Sequence, residues 1–81
     1  QRACQARLLP AFRDSETGRV ELARFRDGRL APMHLIEGLP DEWATAYAAD
    51  GEIETLKSSI ISGFVRDDHF YTRDEARALC R

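Results

Sequence analysis

Val20-Glu-Leu-Ala-Arg-Phe-Arg-Asp-Gly-Arg-Leu-Ala-Pro-Met-His-Leu-Ile36 is the stretch that decides the fold. Two runs rich in strand-forming residues flank Asp27-Gly28. Asp-Gly suits a two-residue type I′ hairpin turn, because both central positions need positive φ. Counting outward from that turn sets a register. Phe25 faces Leu30, Arg24 faces Ala31, Leu22 faces Met33 and Val20 faces Leu35. One side of the hairpin then carries Val20, Leu22, Ala31, Met33 and Leu35, an apolar stripe that needs a core. The other side carries Glu21, Phe25, Leu30 and His34, with His34 opposite Glu21 as a cross-strand pair. Pro32 has no N–H to donate, which places its strand at an edge or a bulge.

A second Asp-Gly, Asp50-Gly51, follows 23 residues later. Trp43, Thr45 and Tyr47 alternate as strand residues, and Ile53-Glu-Thr-Leu-Lys57 is a fitting partner. The expectation is a hairpin of residues 43–49 and 52–57, a weak echo of the first. A helix over 40–49 competes with it. Pro40 fits a first helical position, Asp41 and Glu42 suit the positive end of the dipole, and Gly51 suits a C-cap. The strand alternation favours the hairpin.

Moving outward, residues 7–13 contain Leu8, Leu9, Ala11 and Phe12, with Pro10 again pointing to an edge. Asp14-Ser-Glu-Thr-Gly18 is a turn cluster leading into Val20. Residues 58–62 read as one helical turn closed by Gly63. Phe64-Val65 and Phe70-Tyr71 flank a tight turn at Arg66-Asp67-Asp68-His69. Thr72-Arg73-Asp74-Glu75 matches the capping box and opens a helix over 73–80 with Ala76, Leu79 and Cys80 as its apolar stripe. The expected fold class is α+β, mainly β: an antiparallel meander of five to seven short strands with a short C-terminal helix, in one domain over 1–81.

The 81 residues are 43% hydrophobic and 32% charged, a globular balance. A chain of this size buries only about 60–65% of the surface its unfolded form exposes, so its core is thin. No apolar run reaches the roughly 18 residues a membrane helix needs. The net charge is −2 but unevenly spread. Residues 1–36 hold seven arginines against four acids, and 37–81 hold five basic residues against ten acidic ones. Such a dipole steers a partner or pairs two copies. Cys4 and Cys80 lie near opposite ends. A bond between them would close a long loop and contribute about 4 kcal/mol in the chain-entropy model. The cytoplasm, the expected compartment, keeps such thiols reduced.

Chemistry-bearing motifs are sparse. Cys, His and carboxylates show no metal-ligand spacing. There is no Gly-x-Ser-x-Gly, no Gly-rich phosphate loop and no His-Glu-x-x-His. Asp67-Asp68 and Asp74-Glu75 stand where a turn and a helix N-terminus favour acids anyway. The chain therefore reads as a non-catalytic interaction or regulatory domain with no cofactor, no metal and no membrane contact. The expected partner is a second copy or another protein. A thin core with open sheet edges gains from such pairing. Trp43, Tyr47, Phe25 and Leu30 are the candidate contact residues, with Phe64 and Phe70 assigned to the core. The alternative is nucleic-acid binding through Arg19, Arg24, Arg26 and Arg29 around the first hairpin, since a two-stranded ribbon fits a major groove. The acidic pI near 5.6 weighs against it.

Overall fold

The computed structural model describes residues 8–79. Within them lie six strands, β1 Leu9–Asp14, β2 Val20–Leu22, β3 Ala44–Tyr47, β4 Ile53–Leu56, β5 Ile60–Arg66 and β6 His69–Thr72, and one helix, α1 Arg73–Leu79. All pairings are antiparallel, so the fold is α+β and mainly β, as its turn spacing predicts. Four strands form a sheet in the order β2-β1-β5-β6, and β3 and β4 form a separate hairpin. The chain leaves β2, makes two excursions and returns to lay β5 beside β1.

Those excursions turn at the two Asp-Gly pairs, through one shared loop plan. In the first, Phe25 N–H donates to Arg29 O at 2.8 Å and Gly28 N–H to Phe25 O at 2.9 Å. In the second, Ala48 N–H donates to Glu52 O at 2.8 Å and Gly51 N–H to Ala48 O at 3.0 Å. Each loop therefore holds three residues, not two. Gly28 and Gly51 end the loops at φ +96° and +87°, where a Cβ is disfavoured. Asp27 and Asp50 each accept the N–H two residues on, at 3.0 Å, which locks both loops. The type I′ geometry expected at Asp-Gly occurs instead at Asp67-Asp68, with φ 53° and 65° between the paired Arg66 and His69.

The extra loop residue slips the first hairpin by one position. Arg24 pairs with Leu30, not Ala31, and Ala31 N–H donates to Ala23 O at 2.9 Å. A one-residue slip exchanges the faces of a strand. The slip turns over the first strand alone: Val20 and Leu22, expected inside, lie on the opposite side, and Ala23 takes their place beside Ala31, which stays buried. Met33, expected inside, lies in a bend past the bridge and is 51% exposed. Regular pairing ends at Leu22 apart from the Arg24–Leu30 bridge. His34 also leaves its expected place opposite Glu21. It stands edge-on between the rings of Phe12 (5.4 Å) and Phe64 (5.0 Å), with Nε2 2.7 Å from Gly63 O.

Two further local expectations resolve differently. Pro40 precedes a single 3₁₀ turn, Asp41–Trp43, and the strand begins only at Ala44. The hairpin prevails over the long helix. Residues 58 and 59 form a turn rather than a helical turn, with Ile60 N–H donating to Lys57 O at 3.1 Å, and Ile60 already belongs to β5. The capping box forms as read. Thr72 N–H donates to Glu75 Oε1 at 2.9 Å, and Glu75 N–H donates to Thr72 Oγ1 at 3.2 Å. The helix packs on β5 and β6 with Ala76 buried and Leu79 exposed. Cys4 and Cys80, and any bond between them, lie outside the described residues.

Side chains alternate across a strand and cross-strand partners share a side, so the register divides the sheet into two faces. Pro10, Phe12, Asp14, Ile60, Ser62 and Phe64 share the inner face. Phe12 there joins Ala23, Ala31, Leu39 and Trp43 in the core, with Phe25, Leu35, Ile36, Ile53, Leu56 and Ile60 packed around them. Phe64 and Phe70 are each half-buried, Phe64 on this face and Phe70 on the other.

Candidate functional site

The contact residues expected from the sequence do not form one surface. Trp43 is only 2% exposed and is the largest fully buried side chain. The 3₁₀ turn rotates it out of the alternation of the following strand and into the core, and the Arg19 guanidinium lies 5.9 Å from its ring centroid. Trp43 is therefore core, not an exposed anchor. Phe25 is half-buried against the same core, with the Arg29 guanidinium 4.9 Å from its ring centroid. Leu30 is exposed at the tip of the first hairpin beside its bridge partner Arg24. Tyr47 is exposed on β3, where its hydroxyl donates to Asp41 Oδ1 at 3.0 Å. That bond to a carboxylate pushes the Tyr47 pKa up.

The arginines of the first hairpin are engaged with groups of the chain itself. Arg19 pairs with Glu21 at 2.8 Å and with Glu42 at 3.0 Å, Arg26 with Glu52 at 2.7 Å and Arg29 with Asp27 at 2.7 Å. Arg24 donates to Gly28 O at 2.7 Å. Hydrogen bonds to Glu42 and Glu21 push the Arg19 pKa up, and Glu42, held by its own backbone N–H and by Arg19, is pushed down. A phosphate would have to displace these carboxylates, so the tip offers less positive field than its composition suggests.

A second ionic site pins the two sheets together. Asp14, 1% exposed at the end of β1, accepts from Lys57 Nζ at 3.0 Å and from Glu16 N–H at 2.9 Å. Lys57 follows β4 and also reaches Glu16 at 3.3 Å. Burial pushes the Asp14 carboxyl up, but the Glu16 amide and the Lys57 ammonium outweigh it and hold the carboxyl at about 2. Both groups are satisfied by one another, which is the arrangement of a clasp rather than of an acid or base awaiting a substrate. Among the described residues, no three His, Cys, Asp or Glu side chains gather closely enough to hold a metal ion. No helix of the described residues is long and apolar enough to cross a membrane.

The surface that the sequence reading missed is the outer face of the four-stranded sheet. The register places Leu9, Ala11, Arg13, Val20, Leu22, Ile61, Gly63, Val65 and Phe70 on it. Leu9, Val20 and Ile61 remain 41%, 38% and 37% exposed. Ala11 and Gly63 are small and central, and the larger residues around them leave a groove lined by Val20, Leu22, Val65, Asp68 and Phe70. Alternation within 9–13 and 61–65 was the signal for this face. It could be seen only once β1 was known to lie between β2 and β5, a long-range pairing with no local marker. No family model, curated protein or solved structure matches the chain.

Proposed function

We propose that this chain is a non-catalytic protein-interaction domain whose contact surface is the outer face of the β2-β1-β5-β6 sheet. The observation that carries this reading is the apolar groove with Leu9, Val20 and Ile61 exposed around it. Isolated surface leucines and valines are ordinary, but a contiguous apolar face framing a groove is the mark of a binding surface. The engagement of Asp14, Lys57, Arg19, Arg26 and Arg29 in internal ion pairs supports a non-catalytic role and favours protein over nucleic acid as the partner.

The test is the double variant Val20→Lys/Ile61→Lys, melted at about 0.1 μM with Trp43 fluorescence as the probe. Each surface substitution stays within about 0.5 kcal/mol, so for the pair a face with no cover from its own chain predicts a melting temperature within about 8 °C of wild type. A fall of about 10 °C or more would show that the face packs inside the chain and would overturn the reading.

A further inference from the structure

We infer that the occupant of the outer sheet face is a second copy of this chain, docked face to face about a two-fold axis and oriented by Arg13 and Asp68. The inference rests on the contact-surface reading above and names its partner. Among the described residues, Arg13 and Asp68 are the charged residues at this face, and they have opposite signs. Arg13 lies on β1 level with Val20 and Ile61. Asp68 lies beyond the other end of β5, in the β5–β6 turn, and lines the groove with Val65 and Phe70. Neither side chain enters an ion pair with a described residue, whereas the arginines at positions 19, 26, 29, 66 and 77 all do. Across its described residues the face is thus apolar in the middle, positive at one end and negative at the other.

A two-fold axis lying in the plane between two such faces sets the middle of one against the middle of the other. Oriented to exchange the ends, it brings Arg13 of each copy to Asp68 of its partner, so both charges are matched twice by a single operation. A foreign partner would have to present the same three features in the reverse order, which a second copy does by symmetry. The apolar centre supplies most of the affinity, as in homodimer interfaces generally. The two ion pairs set the orientation and exclude wrong ones, because exposed charges are screened beyond about 8 Å at physiological salt.

The experiment uses sedimentation equilibrium of the full chain and of Arg13→Glu and Asp68→Lys, alone and mixed in equal amounts. Alone, each variant sets two like-charge pairs across the interface and should dissociate about tenfold more readily than wild type, or worse. Mixed, the two variants restore both attractive pairs. The glutamate introduced in one copy meets the lysine introduced in the other, and the unaltered Arg13 and Asp68 meet at the second contact. The mixture should therefore associate nearly as tightly as wild type. Asp68 stands at φ 65°, where lysine strains the turn. Asp68→Asn, which tolerates that backbone, therefore runs alongside, and its mixture with Arg13→Glu should associate more tightly than either component. A monomeric wild type up to about 100 μM, a fully dimeric Arg13→Glu, or mixtures no tighter than their components would overturn the inference. The melting test on Val20→Lys/Ile61→Lys is independent of all these outcomes. It separates a wrong occupant from a wrong surface.

Discussion

Gly63→Ala is the sharpest local test of the fold, because two opposing terms can be weighed from the geometry. Gly63 sits at the centre of the sheet, opposite Ala11 on β1 and Thr72 on β6. A methyl group there would come within 2.5 Å of Phe70 Cζ and 3.0 Å of Cε1, and would press on the backbone carbonyl oxygen of Tyr71. The Phe70 ring can swing aside, but a carbonyl of the neighbouring strand cannot retreat without pulling β6 from β5. Overpacking of this kind costs about 1–3 kcal/mol. Against it stands the smaller entropy of the unfolded alanine chain, about 0.4–1 kcal/mol in favour of the variant. The steric term wins, leaving a net loss of about 1–2 kcal/mol, or about 5–15 °C in melting temperature for a domain of this size. Circular dichroism melts at one fixed concentration read this directly. Trimming the ring as well, in Gly63→Ala/Phe70→Ala, should fail to restore stability, because the Tyr71 carbonyl stays where it is. An unchanged or raised melting temperature for Gly63→Ala would refute the β1-β5-β6 register.

Other perturbations address separate parts of the account. Trp43→Ala should cost about 3–5 kcal/mol in urea unfolding by emptying a buried indole site, whereas a loss under about 1 kcal/mol would put Trp43 on the surface. Thr72→Ala should cost about 1 kcal/mol by removing the acceptor for the Glu75 amide, and Arg73→Ala should cost less. The Asp14 carboxyl is held at about 2, below its ordinary 3.8, so its contribution is present above about 4 and is lost as pH falls towards 2. Acid unfolding of Asp14→Asn should therefore be flatter than wild type across that window, and identical slopes would remove Asp14 from the clasp.

The turns were legible in the sequence and the pairings only partly so. Asp-Gly marked both loop positions, and Arg66-Asp67-Asp68-His69 marked a third. Loop length was not legible, because a glycine with positive φ serves a two-residue loop as a middle residue and a three-residue loop as its last. That single residue turned Val20 and Leu22 outward and brought Ala23 in beside Ala31, while the bend at 32 and 33 left Met33 outside. The capping box was read in full, since all its bonds lie within four residues. Trp43 misled because alternation with Thr45 and Tyr47 ignores the 3₁₀ turn that Pro40 starts. The outer face depends on β5 returning beside β1, more than forty residues later in the chain. The place of His34, held between Phe12 and Phe64 and bonded to Gly63 O, depends on the same return.

Sedimentation equilibrium of the wild-type chain from about 1 to 100 μM is the most direct measurement of the central claim, that the outer sheet face is a contact surface shared by two copies. The average mass should rise with concentration from 9.2 kDa towards twice that value, and a Val20→Lys/Ile61→Lys variant should stay at 9.2 kDa throughout. A wild type that stays at 9.2 kDa over the whole range, or a lysine variant that dimerises as readily as wild type, would contradict that claim.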